Sequence, residues 1–129
     1  MVANLLDFMV ILTVEDEFLI SEYLRTILEA HGHKVVATFD ADAAIGALEK
    51  TDDFQLVITD INMPGAMDGA ALARWLAVNR PLLPIILTSG DSRPDLERAT
   101  PRRRFVRKPY SLDALEHDVR ELVGTSVMQ

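Results

Sequence analysis

Short runs of β-branched and bulky apolar residues take turns with segments of helical spacing along this chain of 129 residues. That alternation constrains the fold more than any other feature. Met9–Val14, Lys34–Phe39, Leu56–Thr59, Pro84–Thr88 and Arg104–Val106 read as buried strands. After Asp16, the residues Ile20, Leu24, Ile27 and Leu28 fall on one face of a helix that should end near His31-Gly32. A second helix starts at Asp40, a good N-cap, and turns Ala44, Ile45 and Leu48 inward. A third follows Asp68-Gly69, with Leu72 and Leu76 inward and Pro81 closing it. The last begins at Ser111 and sets Leu112, Leu115, Val119 and Leu122 on one stripe. Between Thr88 and Arg104, Pro94 and Pro101 leave room for at most about two helical turns, so a short or irregular element is expected there.

Strands of this kind, each followed by an amphipathic helix, predict a parallel sheet covered on both faces. The expected fold is α/β, a doubly wound five-stranded sheet in three layers, forming one domain over 1–129 with its core at 9–123. Hydrophobic residues at 49% and charged residues at 26% argue against disorder. Twenty acidic residues against thirteen basic give a net charge of -7, which disfavours a nucleic-acid surface. The absence of cysteine excludes thiolate zinc sites and thiol nucleophiles. The longest apolar stretch, Pro81–Leu87, is far short of the roughly 18 residues of a membrane span. Met1–Asp7 lacks the basic start of a secretory signal, so no membrane partner and a cytoplasmic location are expected.

In a doubly wound sheet, ligands sit outside the carboxyl ends of the strands. The first strand runs into Glu15 and Asp16, the third into Asp60, the fourth into Thr88-Ser89-Gly90, and the fifth into Arg107-Lys108-Pro109. Clustered carboxylates repel one another unless a cation shares their site. Hard oxygen ligands suit Mg2+, and a lysine with a hydroxyl could hold the oxygens of a phosphoryl group. A carboxylate can itself become an acyl phosphate.

The strings LTVEDE, LVITDINMPG, MDG, ILTSGD and FVRKPY resemble, in order, the motifs of response-regulator receiver domains from two-component signalling. The resemblance runs from about Met9 to Val123. It implies a flavodoxin-like sheet with strand order 2-1-3-4-5 and a phosphoacceptor at Asp60. It further implies a Mg2+ site (with Mn2+ as a substitute) from Asp16, Asp60, Glu15 acting through water, and the Asn62 backbone carbonyl. Ser89 takes the place of the hydroxyl that reaches the phosphoryl group, and Lys108 that of the family's lysine. Pro109 follows a peptide bond that is usually cis, and Phe105 stands where the switch aromatic would be. Asn62 and Asp91 occupy positions that tune loss of the phosphoryl group. The implied donor is a sensor histidine kinase or a histidine phosphotransfer protein, met by Phe18, Leu19 and Pro109. The residues after Lys108 suffice for one last helix, so a stand-alone receiver signalling to a protein partner is expected, as a monomer or weak homodimer. It would act as a phosphoacceptor rather than as an enzyme. The alternative is an interaction module of the same fold that works without phosphorylation.

Three features depart from the pattern. Two residues, Gly65 and Ala66, separate Pro64 from Met67-Asp68-Gly69 where one is usual, as in a subset of single-domain receivers. The proline-containing segment before Lys108 is short, which alters the usual output face. The switch aromatic is phenylalanine, without a phenol to hydrogen-bond. An aspartate-nucleophile hydrolase would carry D-x-D after the first strand, and a nucleotide binder G-x-G-x-x-G; neither occurs.

The remaining residues have plainer readings. Asp60 is expected at an exposed loop. His31, His33 and His117 read as surface histidines without metal-ligand spacing. Arg102, Arg103, Arg104 and Arg107 read as a solvated face, Trp75 and Tyr23 as packing residues, Asp53, Asp68 and Asp91 as turn residues, and Glu17 as first-turn helix charge. Phe18 fits a kinase contact and core packing equally well.

Overall fold

The structure is a computed structural model describing residues 9–128 except Pro64, Ala66 and Ser92. Five strands lie in one sheet: β1 (Val10–Val14), β2 (Lys34–Thr38), β3 (Leu56–Asp60), β4 (Ile85–Ser89) and β5 (Arg103–Arg107). All neighbours pair in parallel, in the order β2-β1-β3-β4-β5. Each predicted strand is present, with ends moved by at most one residue. Among the described residues four helices connect or follow them: α1 (Phe18–Ala30), α2 (Ala41–Lys50), α3 (Gly69–Asn79) and α4 (Leu112–Met128).

Period-two alternation divides the sheet's residues between two cores. Ile11, Ile58, Ile86 and Val106 point to the layer of α1 and α4, where Leu24, Leu28, Leu115, Val119 and Leu122 meet them. Leu12, Val57, Ile85 and Leu87 point to the layer of α2 and α3, against Ala44, Leu48, Leu72 and Leu76. The predicted cap at Asp40 is present, and Asp68, expected as a turn residue, and Ser111, expected only as a helix start, act as caps as well. The Ala43 backbone N–H donates to Asp40 Oδ1 at 2.7 Å, and the Ala71 N–H to Asp68 Oδ1 at 2.9 Å. The Ala114 N–H donates to Ser111 Oγ at 3.1 Å, and Gly32 takes the φ of +90° that lets the chain leave α1. The stripe residue Leu112 has a side chain outside the described set, as do Met1–Asp7 and the loop residue Ala66.

The link from β4 to β5 differs from the other connections. Among its described residues no helix forms; a turn at Pro94–Leu96 is followed by an isolated bridge between Thr100 and Arg103. Leu96 is its apolar contribution to the α2/α3 side. A non-helical backbone needs other partners for its carbonyls, and here the arginines supply them. Arg103 Nη2 donates to Arg98 O and Arg104 Nη1 to Thr100 O, while Arg107 Nε donates to Gly90 O at 3.3 Å. This corrects the expectation of a solvated basic face: Arg102, Arg103 and Arg104 are half-buried.

Candidate functional site

The sheet's own hydrogen-bond ladder positions the charged residues at its carboxyl edge. It extends one residue past β1, where the Glu15 N–H donates to Thr38 O at 3.1 Å, and one past β5, where the Lys108 N–H donates to Ser89 O at 2.9 Å. Asp60 ends β3 in register with Thr88, so Ser89 lies one residue further along the adjacent strand. Because β1 and β3 are neighbours from which the chain winds to opposite sides, their ends frame the switch point of the fold.

At that point Lys108 Nζ donates to Glu15 Oε1 at 2.6 Å and to Asp60 Oδ2 at 3.1 Å. Asp60 Oδ1 accepts the Asn62 backbone N–H at 3.1 Å, and Glu15 Oε2 accepts that of Glu17. Glu15 is 3% exposed and Asp60 6%. Asp60 is therefore buried in a strand end, not exposed on a loop as its position in the sequence suggests. Desolvation raises the pKa of Glu15, against the pull of Lys108. Burial opposes the charge on Lys108, yet the hydrogen bond to Glu15 and the charge of Asp60 hold its pKa above the usual lysine value.

Asp16 is exposed beside this pair. Glu15, Asp16 and Asp60 can each bring one carboxylate oxygen within 4.8 Å of the others. Three carboxylates face one ammonium, so the donor set is hard, acidic and short of positive charge, which fits a divalent cation of the Mg2+ type.

A second set of contacts flanks Asp60. Asn62 Nδ2 donates to Ser89 Oγ at 3.2 Å and to Asp91 Oδ2 at 3.3 Å, and the Asp91 N–H donates to Ser89 Oγ at 3.0 Å. Ser89 Oγ thus accepts two hydrogen bonds, leaving its own proton available to donate. Phe105 is half-buried against the α2/α3 core. The Lys108–Pro109 bond is cis, and Pro109 is exposed.

Phe18 is 62% exposed and stacks on Phe39 with ring centroids 6.4 Å apart; Leu19 is 81% exposed. The core-packing reading of Phe18 is overturned, and so is that of Tyr23, which is exposed.

Two features of the site and one remote from it escaped the reading of the sequence. Gly69 is needed for space: a Cβ there would stand 1.9 Å from the Asp60 carbonyl oxygen and 2.7 Å from Ile61 Cα. Its N–H donates to Ile61 O at 2.9 Å, pinning α3 to the end of β3. Its place directly after a helix cap was the available signal. Tyr110 packs partly buried against the α1/α4 core, and burial first, then the charges of Glu15, Tyr23 and Asp60 in that order, raise its phenol pKa. His33, expected on the surface, is 7% exposed at the opposite edge of the sheet. Its Nδ1 accepts the Met9 N–H, and its Nε2 lies 3.7 Å from Glu116 Oε1 on α4. Position in a sequence carries no sign of such a long-range pair.

The profile of a family described as response regulator receiver domain matches residues 11–120. The chain belongs to the response-regulator receiver family. It is 36% identical over 110 residues to the response regulator protein FleR of Pseudomonas aeruginosa, covering 81% of this chain and 22% of FleR. It is 34% identical over 124 residues to the sensor histidine kinase AruS of the same species (91% of this chain, 12% of AruS). It is 32% identical over 119 residues to the aerobic respiration control protein ArcA of Escherichia coli (91% and 49%). The chain thus spans less than half the length of each of these relatives. Among solved structures, a receiver protein from Sinorhizobium medicae superposes with a TM-score of 0.83 at 25% identity, covering 94% of this chain and 98% of that one. The response regulator TrrA of Thermotoga maritima, solved in complex with Mg2+ and BeF, has a TM-score of 0.79 at 30% identity, with 88% and 98% covered. No helix among the described residues is long and apolar enough to cross a membrane.

Proposed function

We propose that this receiver takes a phosphoryl group onto Asp60 from a phosphohistidine of a sensor histidine kinase or a histidine phosphotransfer protein. The observation that carries the reading is the pair of contacts from one ammonium, Lys108 Nζ, to Glu15 and Asp60 at the switch point of the sheet. An oxygen of the Asp60 carboxylate attacks phosphorus; the P–N bond to the donor imidazole breaks, and the nitrogen keeps the electron pair. The product is an acyl phosphate on Asp60.

The Asn62 N–H on Oδ1 and Lys108 on Oδ2 orient the carboxylate before transfer. Asp16, Asp60, the Asn62 carbonyl and Glu15 through water would hold Mg2+, with Mn2+ as substitute. Bound there, the cation neutralises charge on the transferring oxygens. Lys108 offers a second positive charge to those oxygens, and the Ser89 hydroxyl donates its free proton to one of them. Movement of Ser89 toward the phosphate leaves space that Phe105 fills, which biases a two-state switch read by a protein partner. Turnover is confined to the protein's own phosphorylation and its reversal. Phe18, Leu19 and Pro109, exposed beside the pocket, present the surface for the phosphohistidine donor. The TrrA complex suggests the test. Beryllofluoride with Mg2+ is expected to shift the backbone amide resonances of Asp60, Ser89 and Lys108, and a spectrum indifferent to it would contradict the reading.

A further inference from the structure

The loop between β1 and α1 carries Asp16, and whatever holds that loop decides where its carboxylate stands. Among the described residues the Asp16 side chain makes no hydrogen bond or ion pair, so its place comes from the backbone on either side. On one side the sheet fixes Glu15, whose N–H donates to Thr38 O at 3.1 Å. Thr38 is itself tied back to β1, its Oγ1 donating to Thr13 O at 2.8 Å. On the other side stands the first turn of α1, and that end lacks the usual fastening. The helices α2, α3 and α4 each begin at a side chain that accepts a backbone N–H, from Asp40, Asp68 or Ser111. Glu17, in the corresponding place before α1, makes no such bond. A helix start without a cap frays readily, because its first N–H groups have no partner within the helix.

The stack of Phe18 on Phe39 fastens this end by another route. Phe18 is the first residue of α1, and Phe39 directly follows Thr38. Two consecutive residues at the end of β2 therefore grip the Glu15–Phe18 loop at both of its ends. The ring centroids lie 6.4 Å apart with the planes inclined by 26°. Both rings are largely exposed, so the contact adds little to the core; what it fixes is the loop.

We propose that Phe39 is a positioning residue for the cation: by stacking on Phe18 it replaces the missing cap of α1 and keeps Asp16 within reach of Glu15 and Asp60. The inference rests on the reading of those three carboxylates as a Mg2+ site. Without the stack, the ligating geometry is populated for only part of the time, and the apparent affinity falls by that fraction.

Two measurements on the 15N-labelled protein test it. The first needs no cation. It compares amide hydrogen exchange at Ser21, whose N–H makes the first bond of α1 to Glu17 O at 2.9 Å, with exchange at Leu72, which makes the matching bond of α3 to Asp68 O. Phe39→Ala is expected to speed exchange at Ser21 about two- to tenfold, the range an aromatic pair supplies, and to leave Leu72 unchanged. The second is a Mg2+ titration followed at the amides of Asp16 and Asp60. Phe39→Ala should weaken Mg2+ binding by a similar factor, and Phe39→Tyr, which keeps the ring, should bind as wild type does. The double variant Phe18→Ala, Phe39→Ala should lose no more than Phe39→Ala alone. Unchanged Mg2+ affinity in Phe39→Ala, or losses that add in the double variant, would overturn the proposal. So would faster exchange at Ser21 and Leu72 alike, which marks a general loosening. Failure of the cation reading looks different: wild type itself then shows no saturable response to Mg2+, and the inference falls with it.

Discussion

The two edges of the sheet both bury charged groups, and they treat them differently. At the carboxyl edge, Glu15, Asp60 and Lys108 are joined by direct hydrogen bonds of 2.6 and 3.1 Å, and the exposed Asp16 continues the cluster toward solvent. At the amino edge, His33 and Glu116 face each other at 3.7 Å, and Glu116 Oε1 is buried without a hydrogen bond. The first set reaches solvent through Asp16 and is short of positive charge, as the proposed cation and phosphoryl site requires. The second is closed between β1, β2 and α4 and holds the last helix to the sheet. Buried charge by itself does not mark a functional site; an unfilled requirement for a partner does.

The largest expected effect comes from closing the carboxyl edge sterically. Gly69→Ala places a methyl group against the Asp60 carbonyl oxygen, where only backbone can give way. A destabilisation of about 2–3 kcal/mol in urea denaturation is expected, together with slowed phosphorylation. Lys108→Ala should follow, at about 1–3 kcal/mol, because it leaves Glu15 and Asp60 buried and unpaired. That variant should still accept the phosphoryl group, while the amide of Phe105 no longer responds to it. A Phe105 shift equal to wild type would break the assignment of Lys108 to the switch.

The amino edge should reveal itself in pH dependence. Burial lowers the pKa of His33 below its unfolded value near 6.5, with Glu116 opposing and the charges of His31 and Arg120 assisting. The unfolded chain therefore takes up a proton before the folded one does. The stabilisation is complete above about pH 6.5 and is lost as pH falls toward the depressed folded value. Urea denaturation across that window should show the loss in wild type and flatten in His33→Gln. The smallest effect on stability is expected for Leu19→Ala, within about 0.5 kcal/mol, since the residue is exposed. Its transfer rate from a phosphohistidine donor should fall about tenfold more than its labelling by acetyl phosphate.

Most of the fold was legible because its signals are local. The strand runs, the cap at Asp40, the helix starts after Asp68 and at Ser111, and Gly32 after α1 each act within a few residues. The broken link before β5 was equally local, written in Pro94 and Pro101. The candidate site was legible as a set of strand ends, because parallel winding delivers those ends to one edge whatever lies between them. What escaped depends on contacts across the chain. The burial of Asp60, the tight approach of Gly69 and the pairing of His33 with Glu116 follow from how layers pack. The arginines of β5 misled for the same reason: their partners are carbonyls of a loop whose shape no periodicity announces.

The central claim is that Asp60 is a phosphoacceptor whose pocket needs a divalent cation. Intact-mass spectrometry after incubation with acetyl phosphate tests it most directly, on wild type and Asp60→Asn, each with and without Mg2+. The account predicts one added phosphoryl group in wild type with Mg2+ and none in the other three samples. Label retained by Asp60→Asn, or none in folded wild type with Mg2+, would contradict it, the latter favouring a receiver-fold interaction module that works without phosphorylation.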